Sequence, residues 1–177
     1  MSISVRRATL ADVAELHDVA ARTFMLACPP GTTQADVDAF VGQHLSAERF
    51  AEYLADADRI LLLAESDGEP VGYAMLVRGE ISDADVGKVV DAERSVELSK
   101  FYVLADRHGS GVSGPLMTAT LQAAAAAGAD TCWLGVNQLN ARANRFYEKN
   151  GFTLAGTKRF LVGDQWHDDY IRTRPLA

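Results

Sequence analysis

Apolar positions along this chain fall into two rhythms, and each change of rhythm marks a new element. Residues 2–8 alternate polar and apolar, which predicts a short strand. Thr9 stands where a helix N-cap belongs, with Asp12 three residues on. Leu10, Val13, Leu16, Ala20 and Phe24 follow at spacings of three and four, one face of a helix. Cys28-Pro29-Pro30-Gly31 ends it, because proline cannot donate to the helical ladder. A second helical stretch covers about 34–57, interrupted near Ser46. Residues 59–65 and 70–77 are apolar runs around Asp67-Gly68, the pattern of an antiparallel hairpin.

Residues 79–94 are acidic and weakly patterned, and read as a loop. The strand expected at 95–104 has Val96, Leu98, Phe101 and Val103 as its apolar positions. Its alternation slips between Leu98 and Phe101, as it does where a bulge inserts one extra residue. A glycine-rich turn leads into a helix at 115–127, stopped by Gly128. Residues 131–136 form a continuous apolar strand, and Asn140 caps a helix that runs to Lys149. Residues 152–161 and 166–172 close the chain as a hairpin around Gly163-Asp164. No linker interrupts this order, so residues 1–177 are expected to form one mixed α/β domain.

Composition narrows the function classes. With 17 basic and 24 acidic residues in 177, the net charge is −7. That sign opposes general binding to nucleic acid or to an anionic membrane surface. The 48% hydrophobic and 23% charged content is that of a globular core. Cys28 and Cys132 lie far apart, with no disulfide framework and no metal-ligand spacing. The start, MSISVRRATL, has no apolar run of the kind a secretory signal needs, and no segment reaches the length of a membrane span. A soluble protein of the cytoplasm is the expectation.

The segment HGSGVSG, between a strand and a helix, carries the strongest chemical signal. Glycines at 109, 111 and 114 let backbone turn tightly and approach a ligand. The helix that follows presents free N–H groups and the positive end of its dipole, so the turn suits an anion such as a pyrophosphate. No lysine follows the glycines, which excludes the nucleoside-triphosphate loop. The string does fit GxGxxG, but no acidic residue closes a second parallel strand about 20 residues later, as a dinucleotide site requires. A ligand-free loop leading into a helix remains the plain alternative.

The surrounding residues favour one reading. ELSKFYV, HGSGVSG and WLGVNQLNARANRFYEKNGF together resemble the GNAT (GCN5-related N-acetyltransferase) superfamily. There a bulged fourth strand runs into a [Gln/Arg]-x-x-Gly-x-[Gly/Ala] turn, followed by a helix, a fifth strand and an Asn-initiated helix. His108 and Ser113 replace two positions of that pattern. Thr23-Phe24, HLSAERFAEYL, VGYA and FLVGDQWHDDYI are similar, less distinctively, to the Pai-type spermidine/spermine N-acetyltransferases. The resemblance implies an α/β (α+β) fold with a central, mostly antiparallel sheet of about seven strands flanked by helices. It implies transfer of acetyl from acetyl-CoA, a cosubstrate, to a primary amine, with no metal.

Roles follow residue by residue. The backbone at Phe101, Tyr102 and Val103 would pair with the pantetheine arm, and an N–H at Phe101 or Val103 would hold the oxyanion. His108, Gly109, Ser110, Gly111, Val112, Ser113 and Gly114 would cradle the pyrophosphate. Asn140 is either an N-cap alone or a pantetheine partner as well. Lys149 is either a helix-dipole partner or a CoA phosphate contact, a task open also to Arg142 and Arg145. Tyr147 is the expected acid for the departing thiolate, its alternative a half-buried aromatic. An amine of pKa ~10.4 is about one part in a thousand neutral near pH 7.4, a cost of roughly 4 kcal/mol, so a base is needed. Glu97 is the leading base, its alternative a solvated strand carboxylate; Glu80 and Asp83 are weaker ones. Cys132 reads as a buried inert thiol, and His17, His44 and His167 show no ligand spacing.

The expected acceptor is a small cationic amine, such as a polyamine. Six acidic residues from Glu80 to Glu97, with Asp164, Asp168 and Asp169, could frame its entrance, or could simply be solvated. A protein N-terminus or an amino-bearing antibiotic is an alternative acceptor. A CoA-binding sensor without catalysis and a nicotinamide-dependent oxidoreductase are the competing classes. The sequence leaves a homodimer open.

Overall fold

The computed structural model describes residues 2–28, 30–109 and 111–176. Seven strands form one sheet in the order β1-β2-β3-β4-β5-β7-β6. They are β1 (Ile3–Arg7), β2 (Arg59–Ser66), β3 (Glu69–Val77), β4 (Ser95–Val103), β5 (Thr131–Asn137), β6 (Thr153–Val162) and β7 (Gln165–Pro175). All neighbours run antiparallel except β4 and β5. Six helices accompany them: α1 (Val13–Ala27), α2 (Gln34–His44), α3 (Ala47–Ala55), α4 (Ala84–Gly87), α5 (Ser113–Ala126) and α6 (Ala141–Lys149). The expected α/β class, the sheet of seven strands and the bulged fourth strand are all present.

Local chemistry explains most boundaries. Ser46 divides the second helical stretch because its Oγ accepts from Arg49 N at 3.1 Å, starting α3. The segment expected as a loop at 79–94 contains α4, which Asp83 caps by accepting from Asp85 N at 2.9 Å. Val86 and Val90 then pack with Trp133 and Ile171 in a small second core. With the partly buried Ile81 they fold an acidic segment onto the sheet, a pattern too sparse for periodicity to reveal. The helix expected from 115 starts at Ser113, so Pro115 falls in its first turn, where no N–H is needed.

The bulge in β4 can be placed. Leu76 pairs with Leu98 and Met75 with Lys100, which leaves Ser99 as the extra residue. The insertion keeps Val96, Leu98, Phe101 and Val103 on one apolar face. It also brings Lys100 and Tyr102 to the face that carries Glu97, although an odd spacing would otherwise separate Glu97 from Lys100. Direct pairing continues that polar face across the sheet: Trp133 lies beside Glu97, Asn137 beside Asp169, and Asp169 beside Lys158. Helices α1 and α3 pack near β3 and β4; Phe50 of α3 meets Tyr73 of β3, whose ring meets Tyr102 of β4.

One ion pair ties the first strand to the first helix. Arg6 donates from Nη1 and Nη2 to both carboxylate oxygens of Asp12, at 2.9 and 2.7 Å. Asp12 also accepts from Thr9 N at 2.8 Å, so one carboxylate caps the turn and clamps the strand. The Arg6 guanidinium holds the Asp12 carboxyl down at about 2, from an ordinary 3.8. A lowered carboxyl pKa adds stability that is present above the unfolded value and lost as pH falls through the folded one. With Arg6 half exposed, Asp12→Asn should cost about 1–2 kcal/mol at pH 7. The difference should shrink between about pH 4 and pH 2, as read by denaturant melts across that range.

Candidate active site

Strands β4 and β5 pair at only three positions, from Ser95–Thr131 to Glu97–Trp133. Beyond Glu97 they part, while β5 stays hydrogen-bonded to β7 as far as Asn137. The gap is a cavity of about 410 Å³, bordered by β4 from Glu97 to Val103 and by β5 from Gly135 to Asn137. Leu104 N donates to Val71 O at 2.9 Å, so Leu104 faces β3. Strand alternation then points the N–H groups of Val103 and Phe101 away from β3 and into the gap. An extended ligand can add there as a strand, and the same N–H groups suit an oxyanion.

One end of the gap is built by the glycine-rich turn and the helix starts. Gly109 and Gly111 have φ of 78° and 86°, a region that disfavours any side chain. Gly114, expected in the turn, instead lies inside α5 and needs no such freedom. Val112 is fully buried and packs into the core. Ser110 lies outside the described residues. His108 and Ser113 line the cavity. His108 Nε2 lies 2.8 Å from Val103 O, so this nitrogen donates. Nδ1 therefore carries the lone pair that accepts from Arg142 Nη1. His108 thus links the end of β4 to α6 and brings a guanidinium to the cavity mouth. Asn140 Oδ1 accepts from Ala143 N at 3.1 Å, and the residue also lines the cavity, so capping α6 does not remove it from the site. Lys149 sits at the far end of α6, outside the cavity lining.

Tyr147 lines the cavity from α6, in an aromatic wall with Phe101 and Phe146, and packs on the buried Phe152. Burial pushes its phenol well above the usual value, so it stays protonated. Opposite it, the polar sheet face contributes Glu97, Lys100, Lys158 and Asp169. Burial raises the Glu97 carboxyl, against the lowering pull of Lys100, Lys158 and Arg59. Burial lowers the Lys100 ammonium, with Glu97 pulling it back up. Asp169 is pushed up to about 6 by burial, partly offset by Lys158 and His167. Gly135 makes room for this group: a Cβ there would lie 2.6 Å from Lys158 Cε. A second hollow of about 250 Å³ shares Glu97 and Lys158 with the first and adds Glu80 and Asp83.

Cys132 is fully buried, and burial lifts its thiol to about 12, which suits the inert reading. Sequence reasoning passed over the residues that hold α6 in place. Arg172, only 5% exposed, donates from Nε to Asn144 Oδ1 at 2.9 Å and from Nη2 to Glu148 at 3.0 Å. Asn144 Nδ2 in turn donates to Asn137 O and Asn140 O, at 3.1 and 2.9 Å. This network joins β7, β5 and α6 within one turn of Tyr147. Arg172 lies 28 residues from Asn144 and 24 from Glu148, and no spacing rule connects them. Asp169 could be named only among acidic residues able to frame an entrance, and Lys158 not at all, because their shared face depends on the β6–β7 register.

The cleft thus lies between diverging parallel strands, with a glycine turn at one end and a tyrosine-bearing helix in its lining. The pattern of the Acetyltransferase (GNAT) family matches residues 15–152. The chain belongs to that family. As a GNAT protein it is an acyl-transferring enzyme, and its mostly antiparallel sheet sets aside the nicotinamide-binding alternative. It is 47% identical over 168 residues to an uncharacterised N-acetyltransferase of Mycobacterium tuberculosis, covering 95% of this chain and 100% of that one. The PaiA N-acetyltransferase of Thermoplasma acidophilum, solved in complex with coenzyme A, has the same fold: TM-score 0.78, 19% identity, 99% of each chain. The ribosomal-protein-S18-alanine N-acetyltransferase of Escherichia coli is similar too, with TM-score 0.70 and 17% identity over 99% of this chain and 95% of that one. Among the described residues no helix is long and apolar enough to cross a membrane.

Removing Arg172 would strand the Asn144 amide and the Phe152 carbonyl in the interior. Arg172→Met should cost about 2–4 kcal/mol in urea unfolding, well beyond an ordinary surface arginine. It should also loosen α6, read as faster hydrogen exchange from residues 141 to 149.

Proposed function

We propose that this GNAT protein transfers acetyl from acetyl-CoA to a primary amine by direct attack, with no covalent enzyme intermediate. The observation that carries the reading is the gap between β4 and β5, with two outward N–H groups on one wall and Tyr147 in its lining. The pantetheine arm lies along β4 beyond Glu97, and the pyrophosphate meets the turn at 108–114 and the start of α5. Arg142, held beside the mouth by His108, supplies positive charge there.

The amine nitrogen attacks the thioester carbonyl, and charge builds on the oxygen within reach of the Phe101 or Val103 N–H. Glu97 takes the proton lost from the nitrogen, helped by a carboxyl that burial makes more basic. As the C–S bond breaks, Tyr147 gives its proton to the sulfur. The apolar wall that disfavours a phenolate disfavours a thiolate equally, which keeps this transfer feasible despite the raised phenol.

For the acceptor, Glu80, Asp83 and Glu97 outnumber Arg78 and Lys158 around the second hollow, which favours a small polycation such as spermidine. Lys100 and Lys158 in the main cavity favour a second reading, an amine carrying a carbonyl or carboxylate, as a peptide N-terminus does. One experiment addresses both: thiol release from acetyl-CoA with spermidine, n-butylamine and an alanine-initiated peptide. Release with at least one of them is expected. Tyr147→Phe should lower kcat roughly 100-fold while CoA still raises the melting temperature. CoA that leaves the melting temperature unchanged would remove the cofactor placement. Full activity in Tyr147→Phe would remove the acid role.

A further inference from the structure

The main cavity contains a carboxylate that the reaction above does not use. Asp169 is 5% exposed, and its Oδ1 is buried with no hydrogen-bond partner among the described residues. A buried acceptor left unpaired is costly, and natural proteins keep few of them. Asp169 lines the cavity from β7, on the sheet face of Glu97, which lines it from β4. Lys158 lines the same cavity, and its charge acts on both carboxylates. The Asp169 Oδ2 lies on the Lys158 side: a Cβ at Gly135 would be 3.5 Å from that oxygen and 3.5 Å from Lys158 Nζ.

We propose that Asp169 is the second acceptor-binding carboxylate of the site, its Oδ1 accepting an N–H of the attacking amine while Glu97 receives the proton. The inference rests on the transferase reading and deepens it. A primary ammonium carries three N–H groups, enough to meet both carboxylates and still lose one proton. The role assigned to Asp169 is therefore to hold the attacking nitrogen facing the thioester.

Several charged groups set the behaviour of Asp169. Lys158 faces it from β6, and His167 and Asp168 flank it on β7. From β4 come Glu97, Lys100 and Tyr102, whose phenol feels the Asp169 charge. Cys28, at the end of α1, lies on the rim. Burial is the largest influence and raises the carboxyl to about 6, against 3.8 ordinarily. For an acid with a raised folded pKa, ionisation opposes folding fully above about pH 6 and not at all below about pH 4. A neutral isostere should thus help folding at pH 8 and lose that advantage by pH 4.

The test compares wild type with Asp169→Asn, using acetyl-CoA and the amine of the panel that turns over best. The variant should raise KM for the amine at least 30-fold, lower kcat less than tenfold, and leave CoA binding unchanged. Its melting temperature should equal or exceed that of wild type at pH 8, with no gain at pH 4. Glu97→Gln should instead fall mainly in kcat. An amine KM within threefold of wild type overturns the proposal. So does a melting temperature several degrees lower at pH 8, which would make Asp169 a structural partner. Wild type that turns over beside an unaffected variant sinks this inference alone. Wild type that acetylates no amine sinks the transferase reading and this inference with it.

Discussion

Everything in this molecule depends on how briefly β4 and β5 pair. Three parallel pairs hold the two halves of the sheet together, and then the strands part. Unpaired strand edges are normally a liability, since free N–H and C=O groups invite other chains. Here the edge lines a cavity, so an extended ligand can satisfy it. The extra residue Ser99 in β4 serves the same end. It keeps an apolar face against the core and gathers Glu97, Lys100 and Tyr102 on the other, at the point where the sheet opens.

The second constraint is the position of α6. A nine-residue helix is marginal by itself, and its stability must come from tertiary contacts. Arg172 supplies them by bonding to Asn144, Glu148 and the Phe152 carbonyl at once. Tyr147 therefore sits against Phe101 because an arginine on β7 is buried beneath its helix. Burial of that arginine is tolerable because its donors find partners in fixed geometry.

The net of −7 spoke against nucleic acid and anionic membranes as partners, and the fold adds a finer pattern. Arg142 and the start of α5 make the turn end positive, while the opposite sheet face mixes the carboxylates of Glu97 and Asp169 with the ammonium groups of Lys100 and Lys158. The acidic stretch after β3 folds partly onto the sheet through Val86 and Val90, which brings Glu80 and Asp83 to the edge of the second hollow. It is neither a free loop nor a fully solvated one.

The sequence alone determined the seven strands, the longer helices, the bulge and the glycine turn, because each is written in residues close together along the chain, but it did not show α4. Periodicity reads a strand or helix from its own side chains, and HGSGVSG and FYEKNGF are continuous motifs. It misjudged where α5 begins, since Ser113 and Gly114 suit a turn and a helix start equally. It could not find Asn144–Arg172, the Lys158–Asp169 pair or the room above Gly135. Those depend on which strand lies beside which, and the crossing order β5-β7-β6 is not readable from any local pattern. Only the folded sheet decided that Asp169 would face the same cavity as Glu97, because register sets the face of every strand side chain and tertiary pairing sets register.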